Sequence, residues 1–332
     1  MFNKVLVTGG LGFIGSHLTE KLLKEGAEVV IIDNKSTNVV NEDYFKKGKC
    51  TVITKSVKET DLSKIKNVDI VFHLASILGP TGVLRHAGNI GIVTLGDTIK
   101  MRDFCLKKEI PLIDISTSEV YGHTGLLREE SEKVFPGQYQ VRTEYGGAKM
   151  LAEMALVNLA KFDSRLKYHI IRPFNVAGPR QKPDGGFVLP RFVIAALTGQ
   201  PLTVYGDGSS RRAFTHVTDI CDAILTIAKS KIINEIWNIG NPNNEMSIKE
   251  MAALVIKITK KMYPDKNPKM DFVDPKKLHG GYFAEVVDKI PYIKKISSLT
   301  GWKPKYSAKQ VFAETIDFYA KKVKEGYYFK VS

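Results

Sequence analysis

The stretch that most constrains the fold is a glycine turn near the amino terminus, between an apolar strand and an amphipathic helix. Residues 4–34 read KVLVTGGLGFIGSHLTEKLLKEGAEVVIIDN. The apolar run Val5–Thr8 predicts a first strand, and Glu28–Asp33 predicts a second strand after the helix. Because two parallel strands can be joined only by a long crossover, this order predicts a strand–helix–strand unit with both strands in one parallel sheet.

The spacing of the glycines and the acid after the second strand indicate a dinucleotide site. Gly9, Gly12 and Gly15 form G-x-x-G-x-x-G, which permits a tight turn and a close approach of pyrophosphate to a positive helix end. The Asp33 carboxylate can accept hydrogen bonds from ribose hydroxyls and repels a 2′-phosphate, so NAD is expected rather than NADP. Lys35 leaves NADP as an alternative, and a glycine-rich turn without a ligand is the structural alternative.

Further strands and helices alternate along the first half of the chain. Residues 68–76, 110–118 and 167–175 are apolar runs of strand length, separated by helical patterns such as Val93–Lys108 and Tyr145–Phe162. This alternation predicts an α/β fold with a doubly wound parallel sheet covered on both faces.

The second half of the chain has a different pattern. Residues 178–192 and 204–214 are rich in Gly, Pro and charge, which is typical of loops around a ligand. Short helices are predicted at residues 188–198, 217–230, 247–261 and 307–324. The pattern predicts a smaller, mixed α/β carboxy-terminal region packed on the first.

Composition excludes several classes of function. The 332 residues include 43% hydrophobic and 25% charged residues, and no apolar run approaches the roughly 20 residues of a membrane span. The three cysteines lack metal-ligand spacing, so we expect free thiols, no metal site and a cytoplasmic location. The net charge of +14 is spread along the chain without an arginine-rich tract, which favours an anionic small molecule over nucleic acid.

Two segments carry candidate chemistry. At residues 115–122 the chain reads ISTSEVYG, so an apolar strand ends in three hydroxyls and a carboxylate, which indicates either a capped loop or a site. Tyr145 and Lys149 are four residues apart, on one helical face. An ammonium beside the phenol favours the phenolate, so Tyr145 is a candidate general base, with an ordinary core tyrosine as the alternative.

Together these segments resemble the extended short-chain dehydrogenase/reductases, and specifically the NAD-dependent nucleotide-sugar epimerase/dehydratase family. The resemblance rests on TGGLGFIGSHL, Asp33, HLAS, STSEVYG, YGGAK, RPFNVAGPRQ, VYGDGSSRRAFTHVTD and WNIGN, in family order over nearly the whole chain. It implies a Rossmann domain over residues 1–175, with a returning segment at about 205–235, and a mainly sugar-nucleotide-binding region over residues 176–332. It also implies an enzyme of the isomerase or lyase kind with NAD as cofactor.

The resemblance assigns roles to four catalytic residues. Thr117 takes the place of the residue that hydrogen-bonds the sugar 4-hydroxyl, Tyr145 that of the base, and Lys149 that of its activator. Glu119 completes a Thr-Ser-Glu sequence similar to that of family dehydratases and uronate decarboxylases, although some epimerases share it.

The remaining candidates also follow from the resemblance. The implied cofactor-binding residues are Gly9, Gly12, Phe13, Ile14, Gly15, Asp33, Asn34, Leu74, Ala75, Tyr145 and Lys149. The implied substrate-binding residues are Ser118, Asn175, Arg180, Arg191 and Arg212, of which Asn175 and Arg212 match positions that bind the diphosphate. For Arg180 and Arg191, surface solvation is an equal alternative. We expect His73, His216 and Asp219 to hold loops, and Ser116 to satisfy backbone groups.

The chain departs from the family pattern at two places that bear on the substrate. The loop at residues 77–99 lacks the usual Asn-x-x-Gly-Thr sequence. Lys289 stands where relatives commonly have arginine, and a lysine lacks the bidentate fork that holds a carboxylate.

The resulting hypothesis is a nucleotide-sugar 4-epimerase that acts through a transient 4-keto sugar, on a UDP-sugar or UDP-uronate. UDP-glucuronate decarboxylase and NDP-sugar 4,6-dehydratase are enzymatic alternatives, and an NAD- or RNA-binding regulator is the non-enzymatic one. The helical patterns Val93–Lys108 and Tyr145–Phe162 resemble the dimerising helix pair of the family, so we expect a homodimer.

Overall fold

The computed structural model describes residues 2–45, 48–77, 79–122, 125–131, 133, 141–274 and 288–327. Its strands, in chain order, are β1 (Lys4–Thr8), β2 (Glu28–Ile32), β3 (Cys50–Ile53), β4 (Ile70–His73), β5 (Leu112–Ile115), β6 (Gly125–Leu127), β7 (Tyr168–Pro173), β8 (Val176–Ala177), β9 (Leu202–Tyr205), β10 (Arg211–Ala213), β11 (Thr215–His216), β12 (Glu235–Ile239), β13 (Glu245–Ser247), β14 (Met270–Val273) and β15 (Lys289–Pro291). Its helices are α1 (Phe13–Lys24), α2 (Gly79–Arg85), α3 (Ile90–Lys108), α4 (Val141–Phe162), α5 (Val188–Thr198), α6 (Val217–Ala228), α7 (Ile248–Met262), α8 (Lys294–Thr300) and α9 (Ala308–Lys324).

The main sheet of the described chain has the order β12-β7-β5-β4-β1-β2-β3, and all of its pairs are parallel. The direction of strand order reverses between β1 and β4, so the carboxyl ends of these two strands border a crevice suited to a ligand. The predicted doubly wound parallel sheet is confirmed.

Helices cover both faces of this sheet. One core contains residues of β1, β2, α1 and α6, and the opposite core contains residues of β5, β7, α3 and α4. Strands buried on both faces read as continuous apolar runs, which is why they are visible in the sequence.

The second half, together with β6 from the first half, builds a smaller mixed sheet of order β13-β10-β15-β6. Its β10–β13 pair is antiparallel, whereas β10–β15 and β15–β6 are parallel. Helices α5, α7 and α9 pack around a separate core. The mixed carboxy-terminal region is therefore confirmed, while the domain boundaries remain a prediction.

Two helices begin earlier than their apolar patterns indicate. Helix α3 begins at Ile90, and α4 begins at Val141, which places Tyr145 in its second turn. The unusual loop at residues 77–99 contributes the short helix α2 and the start of α3. Within the described ranges, no helix is long and apolar enough to cross a bilayer.

Candidate active site

The glycine turn joins β1 to α1 in a conformation that only glycine fits. Gly9 has φ +71°, and a Cβ there would lie 2.8 Å from the backbone nitrogen of Ala75. A Cβ on Gly15 would overlap the carbonyl oxygen of Gly9. Helix α1 begins after Gly12 without a side-chain cap, so its first-turn N–H groups can bind an anion. The arrangement fits a pyrophosphate.

The other predicted cofactor residues surround this turn. Phe13 and Ile14 lie in the first turn of α1, and Ala75 follows β4 directly beside Gly9. Asp33 follows β2, is 8% exposed, and accepts backbone hydrogen bonds from Leu11 (3.0 Å) and Lys35 (2.8 Å). Burial raises the pKa of the Asp33 carboxyl and those two bonds oppose the rise. Leu74 is buried beside Ala75, and Asn34 is exposed after Asp33.

The structure brings Thr117, Tyr145 and Lys149 together at the carboxyl end of β5. The Thr117 hydroxyl caps a short helical turn by accepting from the Glu119 backbone N–H (3.2 Å), and it is hydrogen-bonded to the Tyr145 phenol. Lys149 is 1% exposed, and its Nζ donates to the carbonyl of Ile115 (2.7 Å). Strand end and helix face therefore meet as the sequence predicted.

The electrostatics of this group differ from the sequence-based expectation. Burial raises the pKa of Tyr145, the Thr117 hydrogen bond opposes the rise, and the carboxylates of Glu119 and Asp114 add to it. Burial also lowers the pKa of Lys149. A lowered tyrosine pKa was expected from Lys149 together with the positive ring of NAD, whereas removal of the phenol from water is the largest effect of the protein itself.

Glu119 forms a partly buried ion pair with Lys289. Their Oε2 and Nζ atoms are 2.9 Å apart, and Lys289 is 4% exposed. Lys289 also donates to the carbonyl of Ser118 (3.4 Å). Arg212 of β10 is in register with Lys289 of β15, so both cations stand on one face of the small sheet.

The other predicted substrate residues lie in different surroundings. Asn175 has φ +38°, and its buried Nδ2 has no hydrogen-bond partner among the described residues, which suits a group kept for a ligand. Arg191 stacks on the Tyr205 ring at 4.5 Å and donates to its hydroxyl (2.7 Å). Arg180 contacts α1 through Glu20 (2.7 Å), so it is not placed beside Lys289.

A buried ionic network behind the segment that contains Thr117 was not anticipated. Glu153 of α4 pairs in bidentate fashion with Arg172 of β7 and accepts the Ser116 hydroxyl at 2.5 Å. Arg172 also donates to the Tyr121 hydroxyl (2.9 Å), which donates to Asn238 (2.7 Å). Ser116 therefore bonds a carboxylate rather than a backbone group. The glutamate in YGGAKMLAE and the arginine in IIRPFN were the available signals.

Residues 77 and 79–90 lie over Tyr145. Val83 of α2 and Ile77 pack in one apolar cluster with Tyr145. The Glu144 carboxylate accepts from the backbone N–H groups of Gly88 (2.8 Å) and Ile90 (3.0 Å), which fastens this segment to α4. The departure from the family pattern thus lies directly over the site.

The polar residues expected to hold loops do so. The Thr8 hydroxyl and His73 Nδ1 are 2.6 Å apart, His216 caps α6, and Asp219 accepts from the Lys305 backbone N–H (3.0 Å). In the described ranges, no group of three or more His, Cys, Asp or Glu side chains could hold a metal ion.

Comparison with known proteins agrees with this geometry. Residues 5–240 match the model of the NAD dependent epimerase/dehydratase family. The chain is 34% identical to UDP-N-acetyl-alpha-D-glucosaminuronate decarboxylase of Bacillus cytotoxicus, over 96% of this chain and 98% of the relative. It is 26% identical to a solved UDP-N-acetylglucosamine 4-epimerase of Methanobrevibacter ruminantium, with TM-score 0.82 over 96% and 99% of the chains.

A further solved structure is UDP-glucuronic acid 4-epimerase of Bacillus cereus, in complex with UDP-glucuronic acid and NAD. It is 28% identical to this chain, with TM-score 0.80, and the comparison covers 96% of this chain and 99% of the other. Sequence, fold and site geometry agree, and the chain belongs to the NAD-dependent epimerase/dehydratase family, whose members are isomerases and lyases.

Proposed function

We propose that this enzyme is a UDP-uronate decarboxylase, which oxidises the sugar at C4 and removes its C5 carboxylate as CO2. The observation that carries the proposal is the buried Lys289 ammonium, 2.9 Å from Glu119 and beside Ser118 in the sugar-facing segment. Burying a cation is costly unless an anion pairs with it. Glu119 already balances this charge, and a uronate carboxylate could accept a further charge-assisted hydrogen bond from the ammonium, which a sugar without a carboxylate could replace only with a weaker hydroxyl contact. The similarity to a UDP-uronate decarboxylase supports the same reaction.

The glycine turn and the acid after β2 would hold the cofactor. The uncapped first turn of α1, with Phe13 and Ile14, would bind the pyrophosphate, and Asp33 would accept the ribose hydroxyls. Because Asp33 also repels a 2′-phosphate, NAD should bind well and NADP poorly. Calorimetry tests this discrimination, and equal affinities for the two dinucleotides would contradict it. When bound, NAD would supply the hydride acceptor for oxidation at C4 and a positive charge that favours the Tyr145 phenolate.

The residues at the end of β5 carry the proton chemistry at the sugar. Thr117 orients the 4-hydroxyl, and Tyr145 takes its proton during oxidation and returns it during reduction. Lys149 stabilises the phenolate by its charge. Asn175, Arg212 and Ser118 are assigned to the nucleotide-sugar substrate.

The lysine–glutamate pair carries the step that separates this reaction from epimerisation. Once C4 is a ketone, the C5 carboxylate is that of a β-keto acid. The bond from C5 to the carboxylate breaks, CO2 leaves, and the electron pair enters the C4 enolate. A proton must then be added to C5, and we assign its delivery to Lys289 and Glu119, which regain it from solvent. Each turnover therefore consumes one proton.

The second candidate is a 4-epimerase acting on a UDP-uronate, the first hypothesis from the sequence. The similarity to a UDP-glucuronic acid 4-epimerase favours it, because the same buried cation could anchor a carboxylate that is retained. In that case the keto sugar turns over in the site and is reduced on its other face.

One product analysis tests these candidates. NAD-loaded enzyme is incubated with UDP-glucuronate, UDP-N-acetylglucosaminuronate, UDP-glucose or dTDP-glucose, and products are weighed by mass spectrometry. We expect loss of CO2 from a uronate. An isobaric product would establish the epimerase, and loss of water a dehydratase. Tyr145→Phe should abolish every product, and full turnover by that variant would refute the mechanism.

A homodimer through α3 and α4 is also proposed. These helices pack on each other and expose Ile92 (75%), Leu151 (50%) and Met154 (48%), an apolar surface that a second chain can cover. Light scattering at micromolar concentration should give twice the chain mass, and Leu151→Glu should give a monomer. A monomeric wild-type protein would contradict this.

A further inference from the structure

Asp114 places a carboxylate inside the main sheet, behind the proposed catalytic lysine. It is a central residue of β5, is 0% exposed, and is in register with His73 of β4 and Ile170 of β7. Alternate residues of a strand share a face, and Leu112 packs in the core of α3 and α4. Asp114 therefore faces the side on which Lys149 is buried.

The carboxylate is only weakly bonded. The Thr98 hydroxyl donates to Oδ1 over 3.5 Å, and Oδ2 has no hydrogen-bond partner among the described residues. Such a buried charge destabilises a fold unless a nearby opposite charge compensates it. Lys149 supplies that charge, because its Nζ donates to the carbonyl of Ile115, the next residue of the same strand.

The other charged groups around Lys149 are engaged or act on it less strongly. Glu153 is held by Arg172 and Ser116. Asp97 of α3 is partly buried, burial raises its pKa to about 6, and it acts on Lys149 less strongly than Asp114 does. Burial lowers the pKa of His73 to about 3, so this neighbour, whose Nε2 is 4.0 Å from Asp114 Oδ1, is neutral and does not compensate the carboxylate. Burial lowers the pKa of Lys149, and nearby carboxylates oppose this change. Asp114 opposes it most strongly.

A tyrosine and a lysine that share one proton have two arrangements. Phenolate with ammonium can accept the sugar proton, whereas phenol with neutral amine cannot. Asp114 is the carboxylate with the largest effect on the pKa of Lys149. For the pKa of Tyr145, burial and Glu119 both have larger effects than Asp114. A negative charge at this position thus stabilises the ammonium more than it destabilises the phenolate.

We propose that Asp114 is a positioning residue that keeps the shared proton on Lys149, so that Tyr145 is the base. The proposal rests on the roles proposed above for Tyr145 and Lys149, but not on the fate of the sugar carboxylate. Asp114 would thus influence the reaction from the interior of the sheet, through Lys149, without touching the sugar.

The test is the pH dependence of C4 oxidation in Asp114→Asn. Single-turnover formation of enzyme-bound NADH is followed with UDP-glucuronate and with UDP-glucose, so the result does not depend on decarboxylation. Removing the negative charge makes proton loss from the Tyr145–Lys149 pair easier. The rising limb of the plot of rate against pH should therefore move to lower pH by about one unit. The plateau rate should fall roughly tenfold because less of the pair is phenolate with ammonium. An unmoved limb with an unchanged plateau would overturn the proposal.

A second measurement reports on Asp114 without activity. Burial raises the pKa of Asp114 to about 6, so the folded chain binds more protons than the unfolded chain between about pH 4 and pH 6. Wild-type protein should therefore lose more stability than Asp114→Asn as pH rises through this window. If the melting temperatures of the two proteins changed with pH in the same way, the assignment would be overturned.

Matched variants separate charge from structure. Asp97→Asn removes a partly buried carboxylate that acts on Lys149 less strongly than Asp114 does, so the rising limb of its pH–rate profile should move less. An equal shift in Asp97→Asn would overturn the specific role of Asp114. Asp114→Leu should reproduce the changes in limb and plateau, and a lower melting temperature with an unmoved limb would make Asp114 merely structural.

Discussion

Replacing Lys289 with Met should distinguish a carboxylate-binding site from a neutral sugar site. The substitution keeps an unbranched side chain and removes the ammonium that is 2.9 Å from Glu119 and 4% exposed. A hydrogen bond to a charged group is worth about 1.5–3 kcal/mol. At about 1.4 kcal/mol per tenfold change, its loss lowers kcat/KM roughly 10- to 100-fold for a UDP-uronate. A sugar without a carboxylate loses no such bond.

The assay compares the two substrates in one variant. Single-turnover C4 oxidation is measured with UDP-glucuronate and with UDP-glucose, and the quantity of interest is the ratio of their rates. Lys289→Arg keeps the charge and should retain the uronate preference. Lys295→Met serves as the matched control, because Lys295 pairs with Glu235 at the edge of the main sheet. Equal losses for both substrates in Lys289→Met would refute the reasoning and make Lys289 a structural or diphosphate-binding residue.

Three other substitutions follow from the geometry. Gly15→Ala should abolish NAD binding in calorimetry, because the new Cβ overlaps the Gly9 carbonyl; retained affinity would show that the turn can shift. Arg172→Met leaves the buried Glu153 without its ion pair and should lower the free energy of unfolding by about 3–5 kcal/mol in urea titrations, whereas a loss below 1 kcal/mol would contradict this. Glu144→Gln weakens the attachment of residues 88–90 to α4 and should raise KM severalfold with little change in melting temperature; a change in kcat alone would contradict a positional role.

Local sequence was sufficient for the cofactor turn and for a parallel main sheet with helices on both faces. The glycine spacing and Asp33 act within one strand–helix–strand unit, so neighbouring residues determine the geometry. The predicted strands and helices were found because parallel strands buried on both faces are continuous apolar runs. Tyr145 and Lys149 were recognisable for the same reason, since helical spacing alone puts them on one face.

Only the tertiary structure decided how residues far apart in sequence meet. Glu119 and Lys289 are 170 positions apart, and their ion pair arises because β15 pairs with β6, which follows Glu119 by a few residues. Nothing in the strand sequence LIDI distinguishes Asp114 from another buried polar residue. Its position behind Lys149 depends on the packing of α4 against β5. The pKa of Tyr145 rises because the fold removes the phenol from water, and no spacing in the sequence records that burial.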